Sequence, residues 1–317
     1  MRLKTVEYMG RTACAESEKR KGAALNVIVR LNDAGPFGDL INDISADPDF
    51  SQPGRQSAEE IEKCINRAIS APDEAAFGVF LDGAPAGVFV FLILAEDRYI
   101  EMLAGLSRER EAYEEIADLL GKSFPGWQVD FVFNPKNRVI CEMLEKRGAE
   151  LFTEQKKMVL KTNPAQIGLS GVEPLSDKYR DDYAAIHRTD NYWTGDRVLN
   201  APDKFNVYIA ADGGKVVGYI DVTKNNEENE PFDLYVLEGY RRRGWGRKLL
   251  AKAVEANKPK GMALSVDVDN APAIALYGSM GFEDSPEPIG RVATWTAGWI
   301  ETEHNNAGVL TAQPSVK

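Results

Sequence analysis

Apolar and polar positions follow similar patterns in two stretches of the chain, and each pattern predicts a β-hairpin. Residues 76–92 read AFGVFLDGAPAGVFVFL, and residues 207–222 read VYIAADGGKVVGYIDV. Both contain an Asp-Gly pair, Asp82–Gly83 and Asp212–Gly213, which favours a tight turn between two strands. Two matching hairpins in one chain indicate an internal repeat.

A third stretch, residues 234–254, predicts a strand, a tight turn and a helix. Its first four residues favour a buried strand, and residues 247–254 repeat apolar side chains at helical spacing. Between them stand Arg241, Gly244 and Gly246. Glycines let the backbone approach a ligand, and the first N–H groups of a helix lack partners, so this turn suits an anion such as pyrophosphate. The alternative is that the basic residues form an ordinary solvated face, since neither a dinucleotide fingerprint nor a P-loop is complete here.

A second motif follows a predicted strand at residues 262–268. It reads Asn270-x-x-Ala273-x-x-x-Tyr277-x-x-x-Gly281-Phe282. Together with Val236-x-x-x-x-Arg241-x-x-Gly244-x-Gly246, it resembles motifs B and A of the Gcn5-related N-acetyltransferase (GNAT) superfamily. The resemblance implies an α/β fold, with a mostly antiparallel mixed sheet flanked by helices, and acetyl-CoA as the co-substrate.

By the same resemblance, the residues expected to hold acetyl-CoA lie around the two motifs. The Val236 N–H is expected to bond the pantetheine arm or polarise the thioester carbonyl, and Asn270 to contact CoA or to cap its helix. Trp245 replaces the small aliphatic residue usual between the glycines, so it either crowds the pyrophosphate or packs beneath it. The expected cofactor-binding residues are Val236, Leu237, Arg241, Arg242, Arg243, Gly244, Trp245, Gly246, Arg247, Asn270 and Ala273.

The implied reaction is direct attack of a primary amine on the acetyl-CoA thioester. An alkyl amine with a pKa of about 10.4 is protonated at pH 7, so a base must remove its proton. The family often places a glutamate six residues before the motif valine, which is Glu230 here. Even spacing puts Glu230 on the same strand face as Val236, whereas Asp233 falls on the other face unless a bulge intervenes. The alternative is that Glu230 and its acidic neighbours are solvated loop carboxylates.

Tyr277 is the expected general acid, because a phenol can protonate the departing CoA thiolate. The alternative is a half-buried core tyrosine whose presence packing alone explains. Within the family, the loop after the first helix of the domain covers the acceptor. Tyr192 and Trp193 in that loop, with Asp233, are therefore the expected substrate-binding residues.

A repeat of the second motif divides the chain into two domains. Asn137 and Gly148 echo Asn270 and Gly281 at an offset of 133 residues, the difference between 270 and 137. At this offset Arg108 stands for Arg241, but Glu111, Tyr113 and Leu144 replace Gly244, Gly246 and Tyr277. The first copy therefore keeps the scaffold and loses the anion site, unless the echo is chance.

The predicted organisation is two tandem GNAT-like domains. Residues 1–161 form a degenerate domain without a CoA site that ends in a strand at residues 157–161, and residues 162–169 form a linker. Residues 170–300 form the catalytic domain, and residues 301–317 form a flexible tail. The layout is similar to that of mycothiol synthases, which does not carry their substrate across. The first domain is expected to pack on the second and to wall the acceptor pocket.

Composition and charge narrow the partners. A net charge of −11 argues against nucleic acid and favours a cationic small molecule or peptide, although solubility alone would also explain it. No apolar run approaches the roughly 20 residues of a membrane span, and the first residues do not resemble a signal peptide. Cys14, Cys64 and Cys141 lack metal-like spacing, which suggests a reducing cytoplasm. His187 is expected on a helix surface, and with His304 as the only other histidine no metal site is expected.

The sequence therefore predicts a cytoplasmic, acetyl-CoA-dependent N-acetyltransferase, monomeric or homodimeric, that acts on a primary amine of a small molecule or peptide. The alternative is a catalytically silent protein that binds acyl-CoA or regulates another process. An intact Tyr277 beside intact glycines favours the enzyme.

Overall fold

The computed structural model describes residues 26–55, 57–189 and 192–298. The predicted tail at residues 301–317, Cys14 and His304 lie outside the described residues. No described helix is both long and apolar enough to cross a membrane.

The first half of the chain builds an α/β unit around the predicted hairpin. Asp82 and Gly83 take positive φ values of 50° and 82° at its turn, as a two-residue hairpin loop requires. The helix that follows residue 57 begins with a capping box in which Ser57 and Glu60 each bond the other's backbone N–H. In chain order the elements are β1 (Val27–Arg30), α1 (Gly38–Ser45), α2 (Ala58–Ser70), β2 (Glu74–Leu81), β3 (Ala84–Leu94), β4 (Tyr99–Ser107), α3 (Arg110–Ser123), β5 (Gln128–Phe133), α4 (Arg138–Lys146), β6 (Glu150–Leu151) and β7 (Gln155–Leu160).

The second half repeats this order. Its hairpin turn lies at Gly213–Gly214, one residue later than predicted, because the strand before it continues through Asp212. Its elements are β8 (Val172–Pro174), α5 (Arg180–Ile186), α6 (Gly195–Leu199), β9 (Phe205–Asp212), β10 (Lys215–Thr223), β11 (Glu228–Asn229), β12 (Pro231–Val236), α7 (Trp245–Asn257), β13 (Gly261–Asp267), α8 (Ala271–Ser279), β14 (Phe282–Asp284) and β15 (Arg291–Thr296).

The internal repeat is confirmed by the helices that carry the second motif. α4 and α8 span residues 138–146 and 271–279, so the predicted offset holds at both ends. Asn137 and Asn270 each cap their helix with the side-chain oxygen. Gly148 and Gly281 both take positive φ, at 70° and 90°, just after the helix ends.

The two halves exchange one strand each. β15, from the end of the chain, lies between β5 and β6 of the first half, whereas β7 lies between β13 and β14 of the second. The strand predicted at residues 157–161 as the end of the first domain therefore forms, as β7, but it pairs in the sheet of the second half. β7 and β15 hold equivalent places in the repeat, so each can form the backbone hydrogen bonds that the other would form in its own sheet. The exchange therefore joins the two halves by backbone hydrogen bonds.

The candidate site lies in a gap between β12 and β13. β12 is the edge of the sheet ordered β12-β10-β9-β8, whereas β13 belongs to a separate sheet. On one face of β12, Leu234 and Val236 pack with the core under α7 and α8. On the other face, Tyr235 packs with Tyr183 and Tyr219, in the core under α5.

Candidate active site

A cavity of about 830 Å³ occupies this gap. Most of the predicted cofactor-binding residues line it, as do Tyr277 and Asp233. Leu237 and Arg243 do not, because the Leu237 N–H bonds Val217 O and the Arg243 guanidinium lies over the Tyr240 ring. The predicted residues on its wall are Asp233, Val236, Arg241, Arg242, Gly244, Trp245, Gly246, Arg247, Asn270, Ala273 and Tyr277.

The start of α7 forms the basic end of the cavity. Gly244 precedes the helix with a φ of 85°, and no side chain caps the first turn, so its N–H groups are available to an anion. A Cβ on Gly244 would meet nothing within 4 Å, which means that the glycine serves the backbone conformation rather than space. Arg241, Arg242 and Arg247 surround this end and are exposed. These features suit a pyrophosphate.

Trp245 packs beneath the anion end. A Cβ on Gly171 would lie only 2.9 Å from the Trp245 ring, so this glycine admits the indole. The Lys248 ammonium lies 4.7 Å from the ring centroid and donates a hydrogen bond to Ser170 O at 3.0 Å. Of the two roles left open for Trp245, packing is the one that these contacts support.

Val236 points its backbone N–H into the gap. The neighbouring Leu237 N–H bonds Val217 O on β10, and successive N–H groups of a strand point to opposite sides. Gly218 stands opposite Val236, where a Cβ would lie 2.7 Å from Tyr235 O, so glycine allows β10 and β12 to pair at this point. The Val236 N–H therefore faces the cavity.

Tyr277 reaches the cavity from α8. Burial, and then the charges of Asp233 and Glu230, raise the pKa of Tyr277 to about 12. The phenol therefore keeps its proton at neutral pH, which a general acid requires. Asn270, at the start of the same helix, uses its side-chain oxygen as the cap by accepting a bond from Ala273 N at 3.2 Å.

Glu230 is half-buried and does not line the cavity. Its Oε1 accepts a hydrogen bond from Ser265 N at 3.3 Å. Burial raises the pKa of Glu230, and the Ser265 N–H and the charge of Lys157 oppose this only in part. A raised pKa suits a base, whereas the position off the cavity wall does not favour direct contact with an acceptor.

Tyr192 and Trp193 also lie off the cavity wall. The Tyr192 hydroxyl donates to Asp97 Oδ2 at 2.6 Å, and its ring lies 5.0 Å from that of Tyr99 in the first half. Trp193 packs edge-on against Phe205 at 4.9 Å. In the structure this loop joins the two halves.

Sequence reasoning missed a buried polar cluster behind the cavity. The predicted surface position of His187 is wrong, because its side chain is only 1% exposed. Its Nε2 lies 2.8 Å from Asp221 Oδ2, and Tyr183 donates to the other Asp221 oxygen at 2.9 Å. Tyr219 donates to Asp233 Oδ2 at 2.7 Å. The sequence feature that could have revealed this cluster is Asp221. It is a carboxylate within the apolar strand VVGYIDV, and a buried carboxylate needs polar partners.

The corresponding place in the first half is filled by the chain itself. β4 and β5 pair from Tyr99 and Gln128 as far as Met102 and Phe131, and then diverge. Gln52 bridges them beyond that point, donating to Val132 O at 2.9 Å and accepting from Gly105 N at 3.0 Å.

The first-half counterparts of the anion-site residues also have partners within the chain. Arg108, the counterpart of Arg241, is paired with Asp43 and Asp47. Tyr113, the counterpart of Gly246, is buried and accepts a bond from Asn137 Nδ2 at 3.0 Å. Internal side chains therefore occupy the places where the second half is open.

Comparison with known proteins agrees with this geometry. The profile of the acetyltransferase (GNAT) family matches residues 172–282, which include both motifs. The second half of the chain is therefore similar to this family over the stretch that holds both motifs. The solved structure of a GCN5-related N-acetyltransferase from Sphaerobacter thermophilus, 15% identical, superposes with a TM-score of 0.57 over 86% of this chain and 96% of that one. That coverage extends the fold likeness to both halves.

Two curated relatives match part of the chain. The N-alpha-acetyltransferase RimI of Mycobacterium tuberculosis is 35% identical over 83 residues, which are 25% of this chain and 52% of the relative. The [ribosomal protein bS18]-alanine N-acetyltransferase of Escherichia coli strain K12 is 32% identical over 94 residues, or 29% of this chain and 59% of the relative. The chain thus spans less than two thirds of the length of either.

Proposed function

We propose that this protein transfers the acetyl group of acetyl-CoA to a primary amine. The observation that carries the proposal is a single cavity with two chemically different parts. Arg241, Arg242 and the uncapped start of α7 offer positive charge to a pyrophosphate, whereas Asp233 offers negative charge to an ammonium ion. Tyr277 lies on the same cavity and keeps its proton.

In the proposed reaction, the amine nitrogen attacks the thioester carbonyl carbon directly. The Val236 N–H polarises that carbonyl or bonds the pantetheine arm, the C–S bond breaks, and the thiolate takes the Tyr277 proton. A carboxylate takes the proton of the amine, and the sequence predicts Glu230 for this role. The raised pKa of Glu230 supports that assignment.

The acceptor proposed for the first test is a peptide N-terminus. One relative is named an N-alpha-acetyltransferase and the other an alanine N-acetyltransferase, and a net charge of −11 is compatible with a cationic acceptor. A small-molecule amine is the second proposed class. The remaining alternative is a silent acyl-CoA-binding protein.

The test measures release of free thiol from acetyl-CoA in the presence of defined amines. The panel contains a short peptide with a free N-terminal alanine, a polyamine and an amino sugar, with the N-acetylated form of the peptide as the control. At least one free amine is expected to release thiol, and Tyr277→Phe is expected to lower kcat by about 10²- to 10⁴-fold while the Kd of acetyl-CoA stays within about twofold. Tight binding of acetyl-CoA without thiol release from any amine would instead favour the silent binding protein.

A further inference from the structure

The protonation of His187 follows from its two neighbours. Its Nδ1 lies 2.8 Å from the carbonyl oxygen of Arg188, and its Nε2 lies 2.8 Å from a carboxylate oxygen of Asp221. A carbonyl oxygen only accepts, so Nδ1 carries a proton, and a second proton must lie between Nε2 and Asp221. Whichever of the two atoms holds that proton, His187 and Asp221 together are neutral.

Because His187 and Asp221 are neutral together, Asp233 is the remaining carboxylate of the cluster, and it lies beside the cavity. It stands directly opposite Asp221 in the β10–β12 ladder and is 7% exposed. Its Oδ2 accepts the bond from Tyr219 and lies 4.0 Å from His187 Nε2. Within the described part of the chain, Oδ1 of Asp233 receives no hydrogen bond, and the residue lines the cavity. A buried carboxylate with one open oxygen is suited to bind a cation.

The face of β12 on which Asp233 lies distinguishes it from the proposed cofactor contacts. Leu234 and Val236 face the core under α7, where the anion site begins, whereas Tyr235 and the Tyr219 partner of Asp233 face the core under α5. The ladder shifts register between Pro231 and Asp233, so this bulge lies before Asp233 and leaves it on the face opposite to Val236. An acceptor that enters on the α5 side would reach Asp233, with Phe232 and Tyr235 as further walls.

The cluster also has a composition found in metal sites. The ligand atoms of His187, Asp221 and Asp233 lie within 4.8 Å of one another. A metal would need a bare nitrogen of His187, but both nitrogens face hydrogen-bond acceptors. The geometry therefore favours a hydrogen-bonded charge cluster.

We infer that the acceptor amine binds as an ammonium ion to Asp233, which then takes its proton, and that His187, Asp221 and Tyr219 hold Asp233 in position. The inference rests on the proposed function and replaces Glu230 as the base. A proton moves from the ammonium nitrogen to Asp233 Oδ1, and the freed electron pair forms the C–N bond. The C–S electrons leave with the sulfur, which takes the Tyr277 proton, and the second proton lost from the nitrogen restores the Tyr277 phenol.

The first experiment compares Asp233→Asn and Glu230→Gln, with the exposed Asp182→Asn as the control. Acetyl-CoA and the fastest amine of the panel are the substrates. Asp233→Asn is expected to lower kcat/KM for the amine by about 10²- to 10⁴-fold without changing the Kd of acetyl-CoA, and Glu230→Gln to lower it less. Formate is expected to restore part of the activity of Asp233→Ala, because it can supply the missing carboxylate.

The outcomes separate this inference from the proposed function. Wild-type activity in Asp233→Asn, or a larger loss in Glu230→Gln, would overturn the inference while leaving the enzyme an acetyltransferase. Absence of transfer by the wild-type protein would instead overturn the proposed function itself.

A second experiment tests the positioning role of the buried pair through its charge. His187→Gln leaves Asp221 as an unpaired buried carboxylate, and the double variant with Asp221→Asn removes that charge. The single variant is expected to lower kcat/KM for the amine about tenfold, and the double variant is expected to recover part of that loss. Losses that merely add in the double variant would overturn the charge role, since a purely structural pair gives no such recovery.

Discussion

His187 lies buried among two carboxylates, Asp221 and Asp233, and two phenols. Burial alone would lower its pKa, but the bonds to Asp221 and the Arg188 carbonyl, and the charges of Asp221 and Asp233, raise it overall. The phenols that face it, Tyr183 and Tyr219, have pKa values raised above the usual value and stay protonated. Removing one partner of such a cluster leaves an uncompensated buried charge, which typically costs about 3–5 kcal/mol.

The pH dependence of stability should therefore carry the signature of His187. Because its pKa is raised in the folded state, the stabilisation is fully present below the unfolded value of about 6.5 and is lost as pH rises through the folded value. Urea unfolding from pH 6 to pH 9 should show a steeper decline in the free energy of unfolding for the wild type than for His187→Gln. Parallel declines would show that His187 does not hold the extra proton.

The sequence identified Tyr277 but not His187, for a physical reason. Tyr277 belongs to a motif whose spacing fixes its place on one helix, so the motif alone brings it to the cavity. The environment of His187 depends instead on the pairing of Asp221 with Asp233 across two strands. That pairing is part of the tertiary structure, and the residues around position 187 do not reveal it.

The strand, turn and helix formed by β12 and α7 make the basic end of the cavity as one unit. The uncapped helix start, Gly244 at positive φ and Val236 with its N–H in the gap all lie between Val236 and Trp245. This local origin explains why the sequence predicted the element. The bulge before Asp233 was not predicted, since it depends on the ladder with β10.

A matched pair of glycine substitutions tests this element. Gly244→Glu and Gly214→Glu place the same side chain at φ values of 85° and 82°, with nothing within 4 Å of either Cβ, so each variant pays a similar backbone cost of about 1–2 kcal/mol. Acetyl-CoA should raise the melting temperature of the wild type and of Gly214→Glu, because it binds only the folded state. The rise should vanish in Gly244→Glu, where a carboxylate repels the pyrophosphate. An unchanged rise in that variant would remove the anion site from α7.

The two halves share a fold but differ in what lies between β4 and β5 of the first half and between β12 and β13 of the second. The repeat was predictable because the second motif recurs at a constant offset. The strand exchange was not, because β7 and β15 are equivalent in the repeat and either sheet can accept either strand. A chain beginning at residue 165 would lack β7 and leave β13 and β14 without their shared neighbour.

The gap of the first half is bridged by side chains of the chain itself. Gln52 places an amide between β4 and β5, and Asp43 and Asp47 supply carboxylates to Arg108. The first half also contributes strand β7, with Gln155 on the cavity wall, to the sheet of the second half.

One chain is expected to hold one acetyl-CoA, at α7 of the second half. Isothermal titration calorimetry of the full chain with acetyl-CoA measures this stoichiometry. The expected result is one acetyl-CoA bound per chain and loss of that binding in Gly244→Glu. Two molecules bound per chain, or one molecule whose binding Gly244→Glu leaves unchanged, would contradict it.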